Sequence, residues 1–339
     1  MDVFELTRTL IDIESITNNE ERVGNFLYDY LDPLAAQFDG HVERVEVEPR
    51  RFNVFAQWGE RPTVTLSTHL DTVPPFFISR EDDEHIWGRG ACDTKGIIAA
   101  MVKAVEAMLA AGLRGFGLLF VVGEERTSAG AYRAAQTPRG SRYIINGEPT
   151  ENRLALGSKG SLRYEVLATG KMAHSAYPEL GESAIHKLID TLADMRRIPL
   201  PVDALLGNST LNIGTISGGR APNVIADEAR AEIMIRLVGD SIATKQALAR
   251  AADGRAELRE VIEIPALHLN SIDGIETTVV AFTTDIPAFG GQWGEPFLIG
   301  PGSIHVAHTL EERVPKSQLL DAVSIYQRMV KHLCKRESK

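Results

Sequence analysis

The length, composition and charge of the chain exclude several classes of protein. The chain has 339 residues, 44% of them hydrophobic, so two domains with a sizeable core are expected. Its 36 basic and 46 acidic residues give a net charge of -10, and the scattered basic residues argue against nucleic-acid or anionic-membrane partners. Cys92 and Cys334 show no motif spacing, so a disulfide framework is not expected. The opening MDVFELTRTLIDIES predicts an amphipathic helix rather than a signal peptide, and we expect a cytosolic protein without membrane spans.

The segment PTVTLSTHLDTVPP predicts a strand that runs directly into possible metal-binding side chains. It follows a second predicted helix and the alternating segments 41–49 and 51–58, which predict paired strands. The β-rich run from Val64 to Thr68 leads at once to His69 and Asp71. His69 would offer one ring nitrogen to a metal ion, while Asp71 would receive the other N–H and fix the tautomer. A surface turn is an equally good interpretation of this segment alone.

A glycine-rich segment, GRGACDTKG, places Asp93 immediately before a predicted helix. The apolar positions that follow repeat with helical spacing until Gly112. Glycine permits a tight backbone where a carboxylate must point inward, so the segment favours a site. A simple helix cap, made by Asp93 or Thr94, is the alternative interpretation.

The central stretch of the sequence is GLLFVVGEERTSAG, from Gly117 to Gly130. An apolar run bounded by glycine is typical of a strand covered on both faces, and this one ends in Glu124 and Glu125. Open parallel sheets bind ligands beyond the carboxyl ends of their strands, so the paired acids indicate a site there. Successive strand side chains point to opposite faces, so we expect one glutamate to bind metal and one to act as a base. A solvated loop start is the alternative.

Two later segments repeat this pattern of an apolar strand followed by a possible ligand. The first is RYIINGEPT, in which Tyr143 to Ile145 lead to Glu148. The second is EPFLIGPGSIHVAHTLEERV, which offers His305 and His308 ahead of a last predicted helix at 318–333.

Residues 159–266 predict a second domain inserted into the first. Their elements run strand, helix (182–197), strand (209–216), strand (225–237), helix (241–252) and strand (256–264), the order of a βαββαβ, ferredoxin-like sandwich. Alternating apolar residues from Ala229 to Leu237 indicate an antiparallel sheet with one exposed face. A loop contains His174, either a hydrogen-bond donor to substrate or an ordinary surface histidine. Residues 1–158 and 267–339 would then form one discontinuous catalytic domain.

Histidines and carboxylates at the ends of successive strands form a mixed nitrogen and oxygen set that suits zinc, cobalt or manganese. Five ligands and one spare carboxylate exceed the needs of a single tetrahedral zinc ion. This indicates two divalent ions that share a bridging carboxylate. Zinc is the expected metal, with cobalt or manganese as alternatives.

Several motifs, in order, resemble the M20 metallopeptidase family of co-catalytic dizinc amidohydrolases, and within it the acetylornithine deacetylase and succinyl-diaminopimelate desuccinylase branch. They are STHLDTVP, GRGACDTKG, GEERTSAGA, GEPT, GKMAHSAYP and GPGSIHVAHT, and the resemblance covers nearly the whole chain. It implies an α/β catalytic domain with a mostly parallel mixed sheet and an inserted α+β lid or dimerisation domain. It also implies a homodimer formed through residues 159–266.

The resemblance further implies the metal ligands. Asp93 would bridge the two ions, His69 and Glu148 would complete one site, and Glu125 and His308 would complete the other. His308 matches the family's final segment better than His305, which stands where an acidic or polar residue is usual.

The resemblance also implies the catalytic roles. Glu124 would be the general base, Asp71 would orient His69, and His174 would donate to the substrate carbonyl, in dimeric relatives from the neighbouring subunit. The further candidate substrate contacts are Asn223, Arg236, Lys159, Gly302 and His305.

Three functions remain open from the sequence. The first is removal of an acetyl or succinyl group from an N-acyl amino acid such as N-acetylornithine, in arginine or lysine biosynthesis, by a metal-bridged hydroxide with Glu124 as base. The second is a dipeptidase or aminopeptidase of the same family. The third, a metal-binding protein without activity, is less favoured because the base and the ligands are intact.

Overall fold

A computed structural model of the protein describes residues 1–336, and residues 337–339 lie outside the description. The chain divides into two compact units. The first comprises Met1–Leu156, Leu269–Thr278 and the chain from Thr284 onward, and the second comprises Gly157–His268 and Val279–Thr283. Residues 279–283 fall within the predicted catalytic domain, but the structure groups them with the second unit.

The helices are named in chain order. They are α1 (Val3–Ile11), α2 (Glu21–Gln37), α3 (Gly96–Ala110), α4 (Ala129–Gln136), α5 (Ala184–Met195), α6 (Ser241–Ala252) and α7 (Lys316–Arg336). Short helical turns cover Ala91–Lys95, Pro178–Leu180 and Ile286–Phe289. Among residues 1–336, no helix combines the length and the hydrophobicity needed to cross a membrane.

The strands are also named in chain order. They are β1 (Gly40–Glu48), β2 (Arg51–Trp58), β3 (Val64–His69), β4 (Arg80–Glu81), β5 (His85–Trp87), β6 (Phe116–Val121), β7 (Tyr143–Asn146), β8 (Leu154–Ser158), β9 (Gly160–Thr169), β10 (Val202–Asp203), β11 (Gly207–Asn208), β12 (Thr210–Gly218), β13 (Glu228–Leu237), β14 (Glu257–Ile264), β15 (Leu267–His268), β16 (Thr277–Val280), β17 (Glu295–Leu298) and β18 (Arg313–Pro315).

The first unit is built on a six-stranded mixed sheet in the order β1-β2-β6-β3-β7-β17. The contacts of β3 with β6 and β7, and of β7 with β17, are parallel, whereas β1, β2 and β6 pair antiparallel. Strand β6 has no exposed residue because successive side chains enter two different cores. Leu118 and Phe120 join the cluster that contains α1, α3 and α7, while Leu119 and Val121 join the cluster that contains α4. This arrangement explains why its sequence is continuously apolar.

The second unit contains a four-stranded antiparallel sheet in the order β12-β13-β9-β14. One face of this sheet packs on α5 and α6. Ala231, Ile233 and Ile235 of β13 lie in that core, and the residues between them are more exposed, as the alternation in the sequence predicts. The helices and the sheet together give the predicted strand and helix order.

Candidate metal centre

The carboxyl ends of three adjacent parallel strands bring the candidate ligands to one edge of the first unit's sheet. Strand β3 ends at His69, and its neighbours β6 and β7 end shortly before Glu124 and Glu148. The turn Ala91–Lys95 carries Asp93 in front of α3. Parallel strands point their carboxyl ends in the same direction, so residues far apart in sequence meet here.

The first ligand group consists of His69, Asp93 and Glu148. One ligand atom from each lies within 4.8 Å of the others, and all three residues are buried. The Nε2 atom of His69 is 2.9 Å from Oδ1 of Asp93. The Oε1 atom of Glu148 is buried and has no hydrogen-bond partner among the described residues. A buried carboxylate oxygen without a partner is costly, and a cation in the group would satisfy it.

The second ligand group consists of Asp93, Glu125 and His308, again with ligand atoms within 4.8 Å of one another. The Nε2 atom of His308 is 3.2 Å from Oδ2 of Asp93 and 3.0 Å from Oε2 of Glu125. The backbone of His308 is left-handed, with φ of +62°, a conformation that few residues other than glycine adopt. His305 is exposed and belongs to neither group.

Asp93 is common to both groups and turns one oxygen toward each histidine. Oδ1 faces His69 and Oδ2 faces His308, the arrangement that a carboxylate shared by two ions requires. Imidazole and carboxylate ligands suit zinc and other first-row divalent ions. The residues therefore fit a dinuclear site by chemistry and by the partnerless oxygen of Glu148.

The neighbouring carboxylates raise the pKa values of both histidines of the site. Burial alone would lower the pKa of His69, but its hydrogen bond to Asp93 and the negative charge of Glu124 raise that pKa well above its usual value. Hydrogen bonds to Asp93 and Glu125 raise the pKa of His308 to about 10. Bound cations would replace these protons, since a metal ligand must present a lone pair.

The pKa values of the glutamates are also raised, which for a carboxyl group favours the neutral form. Burial raises the pKa values of Glu124 and Glu148 well above the ordinary value, and it also raises that of Glu125. Asp93 differs because its hydrogen bonds to His308 and His69 outweigh burial and lower its pKa. The cluster thus concentrates carboxylates that are hard to ionise together unless cations are present.

The prediction for Asp71 is wrong in its atomic detail. The ring nitrogen Nδ1 of His69 bonds to the main-chain oxygen of Asp71 at 2.9 Å, while the carboxylate Oδ1 is 3.7 Å away. The carboxylate instead accepts from the backbone N–H groups of Gly123 and Glu124 at 2.9 and 3.0 Å, and from that of Glu125 at 3.2 Å. The hydroxyl of Thr17 adds a fourth donor at 2.9 Å. Asp71 therefore holds the chain that presents the two glutamates.

The expectation that strand alternation separates Glu124 from Glu125 is also wrong, because β6 ends at Val121. Both glutamates lie in a turn that begins at Gly123, whose φ is +80°. A side chain at Gly123 would be strained and would also approach the guanidinium of Arg51 to 2.9 Å. The different surroundings of the two carboxylates come from this turn: Glu125 contacts His308, and Glu124 does not.

The structure places the remaining candidates in different surroundings. In the second unit, His174 is exposed and its segment pairs with that of Asn223, since Ser175 N–H donates to the Asn223 carbonyl at 3.0 Å. Lys159 donates to the carbonyl of Asn208 at 2.6 Å. His174, Asn223 and Lys159 therefore lie in segments with backbone or side-chain partners inside the second unit. Their roles toward substrate stay predictions.

Two other candidates differ in the space around them. Arg236 is half-buried, burial lowers its pKa, and no carboxylate among residues 1–336 pairs with it. Gly302, in the first unit, has φ of +89°, and a Cβ there would lie 2.4 Å from that of Cys92. Its proximity to the Asp93 turn explains the glycine without a contact to substrate.

Sequence reasoning missed two acids beside the ligand groups. Glu312 is buried, as is Val314 two residues later. In a strand such alternation places both side chains on one face, and this spacing could have predicted the burial of Glu312. Asp285, in the TTDIPAF segment, is also buried, and burial raises its pKa to about 7. No local pattern distinguishes Asp285 from an exposed turn residue.

The chain is similar to known proteins over most of its length. Residues 65–332 match the model of the family described as peptidase family M20/M25/M40. A peptidase M20 domain-containing protein of Schizosaccharomyces pombe is 39% identical over 338 residues, which cover 97% of this chain and 84% of the relative. A protein of Arthroderma otae, named a probable carboxypeptidase, is 34% identical over 394 residues, covering 99% of this chain and 87% of the relative.

A solved structure confirms the α/β fold class. The tripeptidase of Staphylococcus aureus superposes with a TM-score of 0.82 at 21% identity and covers 98% of each chain. The relatives confirm the resemblance at the level of the family and do not extend it to the deacetylase branch. The chain belongs to peptidase family M20/M25/M40, and it is a hydrolase that acts on amide bonds.

Proposed function

We propose that the protein is a dinuclear metal-dependent carboxypeptidase, which releases a C-terminal amino acid with a free carboxylate. The observation that carries the dinuclear site is the position of Asp93, with one carboxylate oxygen toward each histidine of the two ligand groups. The carboxypeptidase specificity is supported by relatives that are named probable carboxypeptidases. His69, Asp93 and Glu148 would hold one ion, and Asp93, Glu125 and His308 the other. Zinc is the expected metal, and cobalt or manganese would also suit these donors.

The chain's own residues supply the proton transfer. When bound, the two ions supply Lewis-acid activation of water and of the scissile carbonyl. Glu124 is partly buried and has a pKa raised by burial, so its carboxylate is a suitable acceptor for the proton of the attacking water. The same carboxyl group then gives that proton to the leaving amine. Asp71 holds the main chain of Glu124 and so fixes where the base stands.

The free carboxylate of the substrate needs a cationic partner, and Arg236 is the proposed one. Its guanidinium is half-buried and lacks a partner carboxylate among the described residues, so it can form a bidentate pair without breaking another. We expect Arg236→Gln to raise KM for substrates with a free C-terminus and to leave KM unchanged for the same substrates as C-terminal amides. Equal effects on both would remove this role from Arg236.

Deacylation of an N-acyl amino acid is the second candidate. Its support is the resemblance of GEPT, GPGSIHVAHT and TTDIPAF to the acetylornithine deacetylase branch. A peptide and an N-acyl amino acid share the cleaved unit, an amide nitrogen attached to an amino acid with a free carboxylate. One relative is named a probable carboxypeptidase, which favours a peptide over an N-acetyl or N-succinyl amino acid as the substrate. The cytosolic location, the homodimer through residues 159–266 and His174 as carbonyl donor belong to this proposal as expectations.

The deciding experiment blocks one end of the substrate at a time. The protein is loaded with zinc, cobalt or manganese, its metal content is measured by elemental analysis, and hydrolysis of matched dipeptides is followed. A carboxypeptidase cleaves the N-acetylated dipeptide and spares the C-terminal amide, whereas an aminopeptidase shows the reverse preference. N-acetylornithine, N-acetyl-lysine and N-succinyl-diaminopimelate test the deacylase.

Each outcome of this panel has a separate meaning. A preference for an N-acyl amino acid over the N-acetylated dipeptide moves the function to the deacylase. Binding of about two ions per chain without hydrolysis of any amide favours the protein without activity.

A further inference from the structure

Glu312 is a buried carboxylate beside the ligand groups, and it makes its contacts with the backbone of the Asp93 turn. Its relative exposure is 1%. Oε1 accepts from the backbone N–H of Gly90 at 2.9 Å and from that of Asp93 at 3.3 Å. The Sγ atom of Cys92 lies 3.8 Å from the same oxygen.

The buried guanidinium of Arg89 balances the charge of Glu312. The guanidinium of Arg89, itself 1% exposed, forms an ion pair with the other carboxylate oxygen, Oε2. The Nε of Arg89 also donates to the carbonyl of Pro75 at 3.1 Å, which fixes the plane of the guanidinium. Charge-assisted hydrogen bonds of this kind are strong and directional. Glu312 is therefore held in one position by groups on both of its oxygens.

The position of Glu312 in the chain gives these contacts a consequence. It follows His308 on the segment that leads into β18, and its backbone carbonyl accepts from Gly88 N–H at 3.1 Å. One short segment thus carries the histidine of the second ligand group and also grips the turn that carries the shared aspartate. Asp93 and Glu312 are 219 positions apart in the sequence, so the contact between them is a tertiary one.

We propose that Glu312 is a positioning residue that fixes Asp93 relative to His308 and thereby sets the metal affinity of the Asp93–Glu125–His308 group. This inference rests on the proposed dinuclear function. Groups that orient ligands typically change metal affinity about 10- to 100-fold when they are removed.

The test measures bound zinc per chain by elemental analysis after dialysis against a series of buffered free zinc concentrations. His308→Ala identifies the binding step that belongs to its group. We expect Glu312→Ala to shift that same step to about 10- to 100-fold higher free zinc. Glu312→Gln retains an oxygen for the N–H groups of Gly90 and Asp93, so its shift should be smaller.

The matched control is the neighbouring Glu311→Ala, because Glu311 is exposed and its carboxylate forms no hydrogen bond or ion pair with the described residues. Circular dichroism of the metal-free variants checks that each one is folded, and Glu312→Gln carries the test if Glu312→Ala is not. Zinc curves of Glu312→Ala and Glu311→Ala that coincide would overturn the inference. So would a shift confined to the step that His308→Ala leaves intact.

The failure of the inference differs from the failure of the proposed function. A wild-type protein that binds two zinc ions and cleaves no amide contradicts the proposed function, while the Glu312 measurement still stands. A wild-type protein that binds fewer than two ions contradicts both.

Discussion

The carboxylates of the candidate site in the first unit and those on the sheet surface of the second unit have opposite surroundings. At the strand ends of the first unit, Asp71, Asp93 and Glu148 are 0%, 5% and 4% exposed, and none of them forms an ion pair with lysine or arginine among residues 1–336. In the second unit, Glu260 and Glu263 face solvent and both pair with Lys245, at 2.7 and 2.5 Å.

The buried carboxylates belong to the candidate metal centre, whereas the exposed ones form ion pairs on the surface. Removing a carboxylate from water is expensive unless partners compensate it, whereas an exposed ion pair changes stability little. The buried carboxylates therefore destabilise the first unit, and bound cations would offset this unfavourable free energy. Substitutions in the two regions should differ in size and in what they affect.

The largest expected effect is that of Glu124→Gln. The amide cannot accept the proton of water, so kcat should fall by about 10² to 10⁴ while both metal ions stay bound. Steady-state kinetics together with elemental analysis measure the two quantities. Asp93→Ala is the contrasting variant, because loss of the shared ligand should remove metal as well as activity. Near-normal turnover in Glu124→Gln would contradict its role as the base.

Asp71→Asn should have the next largest effect. Asparagine replaces one of the two accepting oxygens with an NH2 group, and the N–H groups of Gly123 and Glu124 share one oxygen while that of Glu125 uses the other, so at least one N–H loses its acceptor and the turn should shift. We expect kcat to fall about 10- to 100-fold with a smaller change in KM. Thr17→Val, which removes only the hydroxyl donor to Asp71, should give a milder version of the same change. A change in KM alone would argue that Asp71 contacts substrate instead.

The pH dependence of stability should reverse when metal is added. Burial raises the folded-state pKa of Glu148 above 4.5, so its contribution to stability falls as the pH rises above that value. The pKa of His308 rises from 6.5 to about 10 on folding, so its contribution is complete below 6.5 and is lost toward 10. Both changes have the same sign, so the protein without metal should lose stability as the pH rises from 4.5 to about 10.

Zinc binds deprotonated ligands, so the loaded protein should instead gain stability as the pH rises through the lower part of this range. Urea midpoints measured at several pH values, with chelator and with zinc, give the two slopes. Parallel slopes would show that protons and metal do not compete for these side chains.

The smallest expected effect belongs to the second unit. Glu263→Gln removes one of the two partners of Lys245 on a solvent-facing surface, so the free energy of unfolding should change by less than about 1 kcal/mol. Activity and metal content should not change. Urea unfolding and the standard assay measure this, and a loss of activity would show that the surface charges of this unit also serve the reaction.

The sequence was most informative where one residue type follows one strand. His69, Glu148 and the Glu124–Glu125 pair could be named because apolar runs end just before them, and Asp93 because glycines precede its helix. The actual contacts of Asp71 and Glu312 could not be predicted. Each carboxylate binds backbone N–H groups of a distant segment, and such contacts depend on the path of the chain rather than on a local pattern.

The discontinuity of the first unit has a consequence for synthesis on the ribosome. Strand β7 pairs in parallel with β17 as well as with β3, and the second ligand group includes His308. Both β17 and His308 are translated after the whole of the second unit. The second unit is almost continuous in sequence and can fold as the nascent chain emerges. Asp93 and Glu125 therefore lack the third member of their ligand group, His308, until synthesis is almost complete. If the second ligand group binds metal as proposed, it can do so only after His308 has been translated.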